Sequence, residues 1–283
     1  MRDLKILLVL VAFVGLTYYG VEPYAHHVMH PEVTPPDYTF KDIKEPNNIT
    51  VTLNGDATKG KEIVQAQCVS CHAISKDGIQ APMSATDAVA TYGVVPPDLS
   101  KAGSVYDHTY LAGFIQNPEV VAKGKAGKYA MPNLGISSED ASHIVAYLAS
   151  IAPKQMSDKE VFEEACTRCH TAKYDGVTTT TNNDAIKKYM GAVPPDLSQV
   201  IISKGEHYLH GFINDPQKLL PGTSMPRVGL NEKTEKQVVA YLEKVGDPNK
   251  EARGDLGLKV LIYMAILTVL TYLWKVKIYK EVH

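Results

Sequence analysis

Two five-residue runs, Cys68-Val-Ser-Cys71-His72 and Cys166-Thr-Arg-Cys169-His170, hold every cysteine of this 283-residue chain and stand 98 residues apart. The same displacement carries well beyond them. Pro96-Pro97-Asp98-Leu99-Ser100 recurs as Pro194-Pro195-Asp196-Leu197-Ser198, Tyr110-Leu111 as Tyr208-Leu209, Gly113-Phe114-Ile115 as Gly211-Phe212-Ile213, and Pro118 as Pro216. Four residues then drop out of the second copy, so Met131-Pro132 recurs as Met225-Pro226 and Ala146-Tyr147-Leu148 as Ala240-Tyr241-Leu242 at a displacement of 94. Self-similarity over so long a period is the mark of a duplicated folding unit, and each copy has the size of a small domain of ~100 residues.

Each copy reads as helices joined by Pro- and Gly-rich loops, with no convincing run of alternating strand pattern. Asp56 is placed to cap a helix running into the first cysteine motif, and Ser157 with Glu160 forms a capping-box pattern for its counterpart. Ser137-Ser-Glu-Asp140 starts an apolar-periodic helix through Val145 and Leu148, and Asn231 starts the equivalent helix, stopped by Gly246. The expected class is all-α, with domains at 56–152 and 153–248 meeting near Ala152-Pro153-Lys154.

The order Cys-x-x-Cys-His fits one purpose better than its alternatives. Disulfides or a zinc site would account for paired cysteines, but neither explains a histidine after the second cysteine both times. The run is the attachment signature of c-type haem. Its spacing lets two thiols reach the two vinyl groups of one porphyrin, which holds the adjacent histidine under the iron. Cys68 with Cys71, and Cys166 with Cys169, are thus expected to attach two haems c, with His72 and His170 as proximal ligands. Of eight methionines, only Met131 and Met225 occupy equivalent places in both copies, each before a proline, and they are the expected sixth ligands. A thioether donor raises the reduction potential relative to two imidazoles. With both axial positions filled there is no room for a substrate, and no catalytic residue is expected.

Two further segments are too apolar for a water-facing surface. From Ile6 to Gly20 the polar side chains are Thr17, Tyr18 and Tyr19, after Arg2 and Lys5; with no small-residue cleavage pattern behind it, the run reads as a retained anchor, 1–22, followed by a linker, 23–55. Leu256 to Trp274 carries the single charge Lys259 and is followed by Lys275, Lys277 and Lys280, with Tyr272, Trp274 and Tyr279 at the edge. It reads as a second transmembrane helix within 249–283. Both basic flanks belong on the cytoplasmic side of a bacterial inner membrane, which leaves both termini inside and the cysteine motifs in the periplasm. The net charge of −2 supplies no basic surface for nucleic acid. The expected contact is membrane lipid.

Gly191-Ala-Val-Pro-Pro-Asp-Leu-Ser198 followed by Tyr208-Leu-His-Gly-Phe212 resembles the segment after the haem motif in cytochrome c1 of the cytochrome bc1 (quinol:cytochrome c oxidoreductase) complex, and Ala130-Met131-Pro132 resembles that family's axial-methionine motif. The resemblance runs loosely over residues 56–280 and is nearest to the dihaem c1-like form of some bacterial complexes. It implies class I cytochrome c-like domains in tandem and haem pockets lined by Pro96, Pro97, Leu99, Pro194, Pro195 and Leu197. It also implies a dimeric complex with a cytochrome b subunit, in which single electrons come from a Rieske iron–sulfur protein and leave to a soluble cytochrome c or a terminal oxidase. The common form of cytochrome c1 holds one haem and lacks an amino-terminal anchor. The arginine that usually follows the Pro-Pro-Asp-Leu-Ser segment is absent here, with Lys101 and Lys204 nearest to its place.

The alternative is the dihaem electron-entry subunit of a cbb3-type oxidase, whose anchors precede the haem domains; the helix at 256–274 argues against it. A dihaem peroxidase would need one open iron, against two repeated Met-Pro pairs. His26, His27 and His30, beside the first anchor, read as hydrated interfacial side chains, and His108, His143, His207 and His210 as surface or propionate-shell residues.

Overall fold

The computed structural model describes residues 2–29, 33–44, 49–123 and 131–282. Among the described residues the architecture is all-α, with extended backbone pairing only at the isolated bridges Ile74–Ile79, Ala172–Val177 and Tyr106–Leu230. The chain divides into two units, Met1–Gly246 and Asp247–His283.

Both copies are built alike because their start and stop signals are alike. In the first, the Asp56 carboxylate accepts from the Thr58 amide at 2.7 Å and opens the helix Ala57–Ile63, which a π-helical turn, Val64–Cys68, carries into the motif. In the second, Ser157 and Glu160 close a reciprocal capping box on the helix Asp158–Cys166. The helix Ser138–Ile151, capped by Ser137, packs across the first motif helix, and Glu232–Gly246, capped by the Asn231 side chain, across the second. At the first crossing Gly60 lies so close to the His143 carbonyl that a Cβ would come within 1.9 Å of it. The second crossing puts the Phe162 and Tyr241 rings 4.5 Å apart instead. Each closing helix also ties down the loop after its motif by the same pair of bonds. Tyr147 donates to Asp77 at 2.7 Å and Tyr241 to Asp175 at 2.9 Å, and the same carboxylates pair with Lys61 and Lys159.

The two copies form one body through a seam that the duplication does not explain. Val105 of the first copy is fully buried in the core of the second, beside Phe162, Leu209 and Leu242. Backbone and side chain both stitch the seam: Asp107 N–H donates to the Gly229 carbonyl, the Thr234 hydroxyl to the Val105 carbonyl, and the Tyr110 hydroxyl to the Arg227 carbonyl. Gly229, at φ +75°, lies flat against the Tyr110 ring.

Residues 33–44 run as a strap over both copies. Phe40 and Ile43 are fully buried in a small cluster with Ile49, Tyr110 and Val121. The strap seats on the duplicated glycines, with Ile43 against Gly113 and Val33 against Gly211, where a Cβ would meet a methyl at 2.7 and 2.6 Å. Asp42 then joins Arg227 at 2.8 Å and Lys123 at 2.5 Å, and Lys123 reaches Asp215 at 2.9 Å, so strap and both copies share one ion network.

The amino-terminal helix runs unbroken from Arg2 to Met29, one π-helical stretch included, which puts His26 and His27 in its last turn. The carboxy-terminal helix spans Lys250–Val282. Leu4–Met29 and Lys250–Glu281 are each long and apolar enough to cross a bilayer, and no residue in their most apolar stretches is buried. His30 lies outside the described residues.

Candidate haem sites

Both motifs end their helix in a tight turn that gathers the donor atoms. Cys68 closes the helix, and its carbonyl accepts from the His72 amide at 2.9 Å; the Cys166 carbonyl accepts from the His170 amide at 2.8 Å. The two cysteines and the histidine of each motif are all half-buried. Burial pushes the Cys68 thiol up to about 11 and the Cys166 thiol up to about 12. That is the opposite of the acidic thiolate in a dithiol redox motif.

Each histidine is clamped by a proline carbonyl from the repeated Pro-Pro-Asp-Leu-Ser segment. His72 Nδ1 lies 2.8 Å from the Pro97 carbonyl and His170 Nδ1 lies 2.9 Å from the Pro195 carbonyl. A carbonyl only accepts, so Nδ1 carries the proton and Nε2 is left with its lone pair, as metal ligation needs. Burial lowers the pKa of both imidazoles, which favours the neutral ring. Pro97 and Pro195 therefore do more than line a wall.

The clamp is itself held. Leu99 N–H donates to the Ala73 carbonyl and Leu197 N–H to the Thr171 carbonyl, at 2.9 and 2.8 Å. Asp98 accepts from Ser75 and from the Ser100 amide; Asp196 accepts from Thr171, from the Lys173 amide at 3.1 Å and from the Ser198 amide at 3.1 Å. Burial acts to raise Asp196, but the hydrogen bonds outweigh it and hold the carboxyl at about 2.

Pro96, Leu99, Pro194 and Leu197 are half-buried beside the motifs, and Leu99 and Leu197 touch the cores of their own copies. Met131 and Met225 both sit half-buried in irregular loops before the closing helices. Residues 124–130, Ala130 among them, lie outside the described residues. In each copy the candidate donors are two thiols and an imidazole of fixed tautomer, with the expected methionine half-buried in the loop before the closing helix. That set fits a covalently held c-type haem.

The other side chains singled out in the sequence have structural partners. Lys101 faces Glu164 of the second copy at 3.9 Å, and Lys204 lies over the Tyr208 ring at 5.5 Å. His143 is buried and its Nδ1 accepts from the Asp56 amide at 2.7 Å, and His210 Nδ1 reaches Glu235 at 2.7 Å beneath the strap. These two belong inside the fold, which the surface or propionate-shell reading does not describe; helical spacing alone did not show what lay across from them. His108 is half-buried against the Gly103 carbonyl at 2.9 Å, and His207 is exposed. Two neighbours of the first motif carried no sequence signal: Tyr92, whose hydroxyl is 3.5 Å from Cys71 Sγ, and Arg168, which leaves the second motif for the first copy.

Known proteins match at the level of this repeated unit. The family model for cytochrome c matches residues 57–152 and again 159–246. "Cytochrome c" of Tetrahymena pyriformis is 32% identical over 112 residues, 38% of this chain and 98% of the relative. "Cytochrome c type-1" of Ascaris suum is 32% identical over 95 residues, 31% of this chain and 85% of the relative. Among solved structures, a chain of "Hyperthermophilic respiratory Complex III" is 20% identical, with 99% of both chains covered at a TM-score of 0.37. Matched by that family model in both copies, over more than half its length, this chain belongs to the cytochrome c family and is an electron-transfer protein of c-type haem.

Proposed function

We propose that this chain is a membrane-anchored dihaem cytochrome that takes single electrons from the Rieske iron–sulfur protein of a bc1-type complex and delivers them to a soluble cytochrome c or a terminal oxidase. Cys68 and Cys71 hold one haem c, with His72 and Met131 as axial ligands. Cys166 and Cys169 hold the other, with His170 and Met225. The observation that carries the reading is the clamp found at equivalent places in both copies, an Nδ1 proton held by Pro97 in one and by Pro195 in the other.

Haem supplies reversible one-electron chemistry at iron. The chain's own part is to fix and protect it. Pro97 and Pro195 set the tautomer and aim of each imidazole, and burial favours the neutral ring. The motif turn fixes the thiols relative to the imidazole. Leu99 and Leu197 add apolar walls that keep water away and favour the lower charge of the reduced state.

The bc1 assignment is supported by the resemblance of the 191–212 segment to cytochrome c1 and by an apolar helix that follows the haem domains. The basic residues beyond both apolar helices favour cytoplasmic termini and periplasmic haem domains at a bacterial inner membrane. Affinity purification of the full chain after mild detergent extraction tests the assignment. Stoichiometric recovery of a b-type cytochrome and a Rieske protein is expected; recovery of a copper–haem oxidase subunit without them would overturn it.

A further inference from the structure

The loops that carry the two expected methionine ligands differ in what covers them. Met131 and Met225 are each followed by a proline, whose ring fixes its own φ and confines the methionine before it to extended backbone. Beyond that shared pair the copies part. Pro132, Asn133, Leu134 and Gly135 are exposed, and the Asn133 side chain accepts from the Gly135 amide of its own turn at 2.9 Å. In the second copy Pro226 is half-buried and both Arg227 and Gly229 are buried, Arg227 with 2% of its surface exposed.

Arg227 stands at the place of Asn133 and is held from three directions. Its amide donates to the Ala122 carbonyl at 2.7 Å and its carbonyl accepts from the Tyr110 hydroxyl at 2.8 Å, both in the first copy. Nε donates to the Asn214 carbonyl of its own copy at 2.8 Å, and Nη1 donates to Asp42 of the strap at 2.8 Å. The guanidinium also lies 4.6 Å from the centre of the Phe40 ring. Phe40 at φ +49° and Lys123 at φ +47° are the non-glycine residues with left-handed backbone among the described residues, and both belong to this brace. Such backbone persists where its surroundings over-determine it.

We propose that Arg227 is a positioning residue for the second haem iron. It pins the chain one proline beyond Met225 to the strap and to the first copy, and so holds that thioether against displacement from iron. Between the Cα atoms of Met225 and Arg227 the free torsions are ψ of Met225 and ψ of Pro226, because the peptide bonds are planar and the proline ring fixes φ. Met225 therefore leaves its iron only if the brace gives. The described residues after Met131 provide no equivalent hold. This inference rests on the reading of Met131 and Met225 as axial ligands and deepens it.

The test is an imidazole titration of the ferric full chain in detergent, followed by loss of the sulfur-to-iron charge-transfer absorption. Met131→Leu and Met225→Leu, each keeping one thioether, assign the two components. Absence of that absorption from the unaltered chain, or no loss of it in Met225→Leu, would defeat the ligation reading, and the inference with it. With ligation established, Arg227→Gln is expected to lower the imidazole concentration that displaces Met225 by about tenfold, the scale of one charge-assisted hydrogen bond. The Met131 component should not move. Arg227→Lys is expected to recover part of the loss. An equal shift of both components, which a general loosening of the fold would give, or a shift of neither, overturns the proposal. Asp42→Asn removes the strap's charge and keeps Arg227, so it tests the same brace even if the glutamine variant fails to fold. A shift of the Met225 component alone, by about threefold, is expected there; no shift overturns the proposal.

Discussion

At the scale of single residues, what the motif left open was the partner of each histidine. Cys-x-x-Cys-His announces the thiols and the imidazole, but a carbonyl has no letter in the sequence. The pairing of His72 with Pro97 and His170 with Pro195 emerges only once the Pro-Pro-Asp-Leu-Ser segment folds back. The repetition of that segment was its trace. Asp196 anchors the return through its bonds to Thr171, Lys173 and Ser198. Its folded pKa of about 2 lies below the ordinary carboxylate value of about 3.9. Its contribution is therefore present above about pH 4 and is lost as pH falls through about 2. Asp196→Asn is expected to cost about 1–2 kcal/mol at neutral pH. The variant should also flatten the acid limb of stability between those two values, as followed by circular dichroism.

Among the elements, helices and caps were readable because their signals are local. Asp56, Ser137, Ser157 and Asn231 all cap the helices expected of them. The strap and the seam were not readable, because both are pairings between residues far apart in sequence. Gly113 and Gly211 could be seen to repeat, but only the fold shows that Ile43 and Val33 sit on them. Gly229 and its equivalent Gly135 separate the seam from the repeat. Both have positive φ, but a Cβ at Gly229 would meet the Tyr110 ring at 2.0 Å while one at Gly135 meets nothing. Gly135→Ala is expected to cost about 1 kcal/mol from backbone strain alone. Gly229→Ala should cost about 2–4 kcal/mol through added overpacking. Urea titration of the two variants compares them directly. Phe40 lies 5.5 Å from the Tyr110 ring and 4.6 Å beneath the Arg227 guanidinium. Phe40→Ala is expected to cost about 3–5 kcal/mol. Faster proteolysis within the strap should accompany that loss in a limited-digestion time course.

For the whole molecule, the apolar terminal segments and the duplication together describe a haem-carrying body with two helices that can enter a membrane. The chain is expected to stay in the membrane fraction through an alkaline carbonate wash, and its release would remove the anchor reading. Two equivalent haem sites in one chain are the central expectation. The most direct measurement is haem per polypeptide by pyridine haemochrome, paired with the intact mass of the full chain. Two covalent haems are expected, with one retained when Cys68 and Cys71 are both replaced by serine and one when Cys166 and Cys169 are. A single haem in the unaltered chain, or a mass equal to the bare polypeptide, would contradict it.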